Sequence, residues 1–75
     1  MRISFDPAKN ERNIRDRQLD FSQVEQWDWA RSIIEEDIRK DYGERRFRVL
    51  GFIDERLFAL VFTPRDDKVH VISLR

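Results

Sequence analysis

Arg45-Arg46-Phe47-Arg48-Val49-Leu50-Gly51-Phe52-Ile53, Arg56-Leu57-Phe58-Ala59-Leu60-Val61-Phe62-Thr63 and Lys68-Val69-His70-Val71-Ile72-Ser73-Leu74 are three runs separated only by short polar turns, and their pattern decides the fold. In the first run Phe47, Val49 and Ile53 share one parity, while Arg46 and Arg48 take the other. A period of two marks a strand with one buried and one wet face. The middle run is apolar on both parities from Leu57 to Phe62, so both of its faces call for cover. The centre strand of an antiparallel meander, with a helix layer behind it, meets that need. Asp54-Glu55 and Pro64-Arg65-Asp66-Asp67 supply the turns, since Asp bonds readily to its own nearby backbone. Pro64 is expected to end the middle strand, because it has no N–H for the ladder. Gly51, in mid-strand, predicts a bulge or a close approach by an aromatic neighbour.

Register then decides what stands together. With even loops in both hairpins, Arg46, Thr63 and His70 lie side by side at one end of one face. A three-residue loop at the first turn would set Arg46 opposite Pro64 and break the row. Neither loop carries the Asn-Gly or Asp-Gly pair that would settle the matter.

Outward from this stretch, 75 residues make one small domain spanning 1–75. A core of that size supplies a net stability of roughly 3–5 kcal/mol. There is no cysteine, so neither disulfides nor thiolate metal sites can staple it, and with a single histidine no metal is expected. No cofactor is expected either. Charge is abundant yet balanced, 15 basic against 15 acidic residues. Binding nucleic acid by bulk electrostatics normally needs a basic excess, so any such function must rest on a local patch. Arginine makes up 12 of the 15 basic residues, which favours planar, forked contacts with phosphate or carboxylate. On a chain this charged, most of these arginines simply face water. No apolar run approaches the ~20 residues that span a bilayer and no signal peptide opens the chain, so the cytoplasm is the expected compartment.

At the start, Met1-Arg2-Ile3-Ser4-Phe5 alternates as a short strand. Asp6-Pro7 is a helix start, with Asp as N-cap and Pro at the first helical position. The helix that follows is mostly polar, with Ala8, Ile14 and Leu19 as its apolar anchors, and Lys9 and Asn13 share a face. A solvated face is the ordinary explanation for such a helix. Asp20 or Ser22 caps a second helix, whose buried stripe is Phe21, Val24 and Trp27. Trp27 and Trp29 read as core or interface side chains. Over 28–41, propensity slightly favours a helix with Ala30, Ile33, Ile34 and Ile38 on one stripe, although a strand is possible.

Phe5-Asp6-Pro7-Ala8-Lys9, Asn13-Ile14-Arg15 and Leu19-Asp20-Phe21 are similar to the N-terminal pattern of the BrnT ribonuclease toxins. That family opens with aromatic-Asp-x-x-Lys, continues with Asn-hydrophobic-Lys/Arg and closes on hydrophobic-x-Phe. Gly43-Glu44-Arg45-Arg46-Phe47 resembles its Gly-Glu-x-Arg-Phe, and Val71-Ile72-Ser73-Leu74-Arg75 stands where it has Ile-Ile-Ser-Ala-Arg. The resemblance covers nearly the whole chain. It implies an α+β, RelE-like fold: an antiparallel β-meander sheet packed against two N-terminal helices, with an extended strand inside 28–41 in place of the helix. It also implies a metal-independent RNA-cleaving toxin of a type II toxin–antitoxin pair, neutralised by a BrnA-like antitoxin with a ribbon-helix-helix DNA-binding region, so that DNA is met only through the antitoxin. The chain departs from the pattern at Arg17-Gln18, where the family commonly has His-Gly, and it stops at Arg75 before the family's basic helical tail.

Cleaving RNA without a metal requires an aligned 2′-hydroxyl, a group that moves protons, and positive charge at the phosphate oxygens. Arg46, with Lys9 and Arg75 as expected neighbours, is the candidate phosphate binder. Glu44 is the candidate base or orienter of Arg46. His70 is the one side chain with an unperturbed pKa suited to proton transfer near neutrality, although a lone histidine on a strand is more often merely exposed. Arg75, Asn13, Arg17 and Thr63 are candidate RNA contacts. The competing expectation is an inactive toxin-fold module that binds a DNA-binding partner through Leu50, Phe52, Ile72, Leu74 and Trp29.

Overall fold

The computed structural model describes residues 2–75. It is an α+β arrangement: β1 (Ile3–Phe5), α1 (Pro7–Arg17), a 3-10 helix (Phe21–Gln26), β2 (Trp27–Glu36), β3 (Phe47–Ile53), β4 (Arg56–Arg65) and β5 (Lys68–Leu74). The five strands form one sheet in the order β1-β5-β4-β3-β2. Strands β2 to β5 pair antiparallel, while β1 lies parallel to β5. The sheet is therefore mixed, not the purely antiparallel meander expected. Tight turns oblige β3, β4 and β5 to alternate in direction, whereas β1 and β5 are joined only through the rest of the chain and are free of that constraint.

The segment 28–41 contains an extended strand, as the resemblance implies and against local propensity. Trp27–Glu36 is an edge strand, and residues 37–46 form an irregular loop. Tertiary pairing with β3 outweighs a modest helix preference here, and the Ile33-Ile34 pair suits a strand equally well. The middle strand also runs further than expected, through Pro64 to Arg65. The β3 ladder begins only at Phe47 opposite Phe62, so Pro64 sits where β4 has β5 alone beside it.

The core lies on one face of the sheet. Val49, Ile53, Phe58, Leu60, Val71 and Leu74 face Leu19, Phe21, Val24 and Trp27. Phe21 and Val24 are three residues apart, which stacks them on one side of a 3-10 helix with its three residues per turn, and Trp27 follows at the same spacing as the C-cap. Gly51 permits the close aromatic approach expected of it: a Cβ there would stand 2.8 Å from the Trp27 ring and from Ser32 Oγ. The opposite, outer face carries no helix, and Leu57 and Leu50 remain 59% and 51% exposed on it. The cover expected for both faces of β4 is thus supplied on one only.

A bulge at Ile72 corrects the expected docking patch. The β4–β5 register slips by one between Val61–Ser73 and Phe62–Val71. That slip turns Leu74 from the outer parity to the inner one, where it is wholly buried, and leaves it unable to meet a partner. Trp29 is half-buried, with its ring edge-on to Phe62 at 5.8 Å between centroids.

Asp6 caps α1 as expected, accepting from the Ala8 N–H at 2.9 Å, with Pro7 in the first turn. Of the expected anchors only Leu19, just past the helix, is buried in the core. Ala8 is exposed and Ile14 half-buried, while Asn10 and Asn13 are buried. Asn10 Oδ1 accepts from Phe21 N at 2.8 Å, and its Nδ2 donates to Asp20 Oδ1 at 3.1 Å. Asn13 Nδ2 donates to both Leu19 O and Leu74 O at 3.0 Å. Polar amides hold this helix because the strand edge and loop beneath it present backbone groups that need partners.

Gln18 ends α1 in the left-handed region (φ 60, ψ 33), a conformation that favours glycine. A side chain there costs about 1–2 kcal/mol, partly offset by the lower entropy of the unfolded chain relative to glycine. Gln18→Gly is expected to raise stability by about 0.5–1 kcal/mol. An unchanged urea midpoint would count against strain at this turn. No helix among the described residues is long and apolar enough to cross a membrane.

Candidate functional site

Two-residue turns close both hairpins, Ile53 pairing with Arg56 and Arg65 with Lys68. Asp66 and Asp67 both take positive φ (52 and 59), which is what a type I′ turn demands. The loops are therefore even, and the row that depends on them forms. Thr63 pairs with His70, and Ser4 of β1 extends the row on the far side of His70. One step beyond Phe47–Phe62, the β3–β4 register sets Arg46 beside Thr63.

Side chains above this row make a connected cluster on the outer face. Arg46 Nε donates to Glu44 Oε2 at 3.2 Å, and Arg65 Nη2 donates to Glu44 Oε1 at 3.1 Å. Arg65 Nη1 stands 3.1 Å from His70 Nε2, and His70 Nδ1 lies 2.8 Å from Ser4 Oγ. Burial opposes the charge on Glu44, but hydrogen bonds from Arg65 and Arg46 outweigh it and hold the carboxyl below its ordinary pKa. His70 is pushed below 6.5, first by burial and then by the Arg65 charge; Lys9 adds to this, and Glu44 and Asp6 oppose it. At neutral pH the imidazole is therefore neutral and the carboxylate charged.

The loop that carries Glu44 and Arg46 is pinned from beneath. Asp37, its side chain only 4% exposed, receives Arg39 Nε and Nη2 at 2.9 Å and the Tyr42 hydroxyl at 3.0 Å. Hydrogen bonds from Arg39, helped by Tyr42, hold its carboxyl far below the usual carboxylate range against the effect of burial. Asp37 N donates to Arg46 O at 2.7 Å, and the Arg46 guanidinium lies 4.2 Å from the centre of the Tyr42 ring. Thr63 Oγ1 donates to Arg45 O at 2.6 Å.

The expected residues fall into three groups. Glu44, Arg46 and His70 come together, and Lys9 is near enough for its charge to be felt at His70. Thr63 and Asn13 are buried with their side chains committed to backbone carbonyls, so they hold structure and are not free contacts. Arg17 donates to Asn13 Oδ1 at 3.4 Å and lines a surface groove with Lys9 and Arg12. Arg75 is no neighbour of Arg46. Its backbone pairs with Ala59, four residues along β4 from Thr63 and so about 13 Å away. It borders a separate outer groove with Ile33, Arg48 and Leu50.

Arg65, Ser4 and Tyr42 were not anticipated. Arg65 shares the parity of Thr63, so the sequence holds a signal for it. Ending the strand at Pro64 hides that signal.

A family model described as ribonuclease toxin, BrnT, of type II toxin-antitoxin system matches residues 5–75. No curated protein matches the chain.

Proposed function

The chain belongs to the BrnT family of ribonuclease toxins of type II toxin–antitoxin systems, and from that premise we propose that it is a metal-independent endoribonuclease whose site is the Glu44–Arg46–Arg65–His70 cluster. The observation that carries this reading is the convergence of two guanidinium groups on one carboxylate, beside a neutral imidazole, on a sheet face without a helix. A phosphodiester laid over the row meets Arg46 and Arg65, with Lys9 at the rim. Positioned cations of this kind stabilise the charge that grows on phosphate oxygens. Both Glu44 oxygens already accept from guanidinium groups, and its pKa is lowered, so it serves better as the orienter of the two arginines than as a base.

His70 is the base. It takes the 2′-hydroxyl proton, the 2′-oxygen bonds to phosphorus, and the 5′-oxygen leaves with a proton from solvent. The products are a 2′,3′-cyclic phosphate and a 5′-hydroxyl. General base help of this kind contributes ~10²–10⁴-fold. Membership of the family implies an antitoxin partner. We take it to be a BrnA-like ribbon-helix-helix protein acting in the cytoplasm, lying over the same outer face, where Ile33 (73%), Leu50 (51%) and Leu57 (59%) stay exposed further along the sheet from the cluster. The RelE-like description of the fold belongs to the same proposal.

A mixed-sequence RNA oligonucleotide tests the chemistry. Cleavage is expected to persist in excess EDTA, to leave cyclic phosphate ends, and to vanish at a 2′-deoxy position. Intact RNA at stoichiometric protein, or equal cutting beside a 2′-deoxy nucleotide, would overturn the reading.

A further inference from the structure

His70 is the chain's only histidine, and both of its ring nitrogens are engaged in the free protein. A guanidinium nitrogen carries hydrogens and no lone pair, so the 3.1 Å contact from Arg65 Nη1 requires an unprotonated Nε2. In the neutral ring the proton then sits on Nδ1, directed at Ser4 Oγ 2.8 Å away. Arg65 thus selects the tautomer that a base needs and at the same time occupies the lone pair a base would use. The two arginines of the cluster differ in how firmly they are held. Arg46 is stacked on Tyr42 with its side chain 26% exposed, whereas Arg65 is 49% exposed and stands directly before the two-residue turn that ends β4.

We propose that Arg65 is a clasp on His70: in the free protein it holds the ring in the Nδ1–H tautomer and covers Nε2, and a bound phosphate draws the guanidinium away and exposes Nε2 to the 2′-hydroxyl. This deepens the ribonuclease reading and rests on it for the identity of the phosphate. The clasp uses the strength of a forked guanidinium–phosphate contact, which competes well with a neutral imidazole for the same donors. Glu44 keeps hold of the other arm, so the guanidinium pivots without leaving the site. The charged groups facing the ring are of both signs. Arg65 from β4 and Lys9 from α1 disfavour the imidazolium, while Glu44 from the loop and Asp6 at the helix cap favour it. Pairing the Arg65 charge with the phosphodiester monoanion therefore raises the proton affinity of His70 at the moment the base is needed.

Nitrogen-15 NMR of the single histidine reads the clasp without any cleavage assay, using inorganic phosphate as the probe. In the wild type at neutral pH the Nδ1–H tautomer is expected, and phosphate is expected to raise the His70 pKa and broaden or shift Nε2. In Arg65→Ala the pKa is expected to be raised before phosphate is added, and the ring to relax toward the Nε2–H form. Ser4→Ala should keep the Nδ1–H form, since Arg65 still selects it. In cleavage assays Arg65→Ala should raise KM on the order of 10-fold and move the acid limb of the rate profile to higher pH, because a base of higher pKa deprotonates later. An unchanged tautomer and pKa in Arg65→Ala, or a tautomer lost in Ser4→Ala alone, would overturn the clasp even if the wild type cuts RNA. A wild type that cuts no RNA would end the ribonuclease reading, while the NMR result still judges the clasp.

Discussion

Replacing Arg46 by alanine is expected to slow RNA cleavage by on the order of 10²–10³-fold, the usual cost of removing one preorganised donor from a developing oxyanion. The residue is held at three points: side-chain Nε on Glu44, the guanidinium face on Tyr42, and the backbone carbonyl on Asp37 N. Its two Nη nitrogens have no protein acceptor among the described residues. A guanidinium fixed on one edge and open on the other is preorganised, so little ordering is required when a phosphate arrives. Arg46→Lys keeps the charge but loses both the stack and the fork, and should recover only part of the rate. Single-turnover cleavage at saturating protein separates this from weaker binding. A rate within about twofold of wild type would remove Arg46 from the transition state.

Asn13→Ala is expected to cost about 2–3 kcal/mol, at the upper end for loss of buried hydrogen bonds. The substitution leaves Leu19 O and Leu74 O without the Nδ2 donor that serves them both. The residue is 7% exposed, so water has little access to replace that donor. Against a net stability of roughly 3–5 kcal/mol for a core this small, the variant should melt about 10–20 °C lower. Asn13→Asp is nearly isosteric and should be at least as damaging, because it supplies no N–H and brings a charge next to two carbonyls. Thermal unfolding by circular dichroism measures both. A normal melting temperature with weakened RNA binding would instead restore Asn13 to the list of RNA contacts.

The contrast between these two asparagine and arginine sites shows where sequence reasoning reached and where it stopped. Strand parity, a local property, aligned Arg46 and His70 on condition that both loops are even, and the structure supplied that condition. Asn13 has the same sequence credentials as a surface contact, four residues from Lys9 on a polar helix. Its burial depends on the end of β5, 61 residues away, presenting a carbonyl to it. Leu74 failed as a docking residue because one bulge at Ile72 reversed its face. Arg65 was passed over because proline rules apply to interior strands, and β4 is flanked on one side only by the time it reaches Pro64.

By itself, the sequence determined that three strands follow one another after the loop, though not their exact ends, the Asp6-Pro7 helix start, the spacing of Phe21, Val24 and Trp27 and, through its motifs, the family. Each of these is written in spacings of a few residues, where backbone geometry alone dictates the outcome. Tertiary structure decided that 27–36 is a strand, that β1 runs parallel to β5, that Leu74 turns inward, and that Arg65 joins Glu44 and His70. Those outcomes turn on hydrogen-bond partners distant in the chain, and the energy of pairing with them exceeds the few tenths of a kcal/mol per residue by which local propensity discriminates.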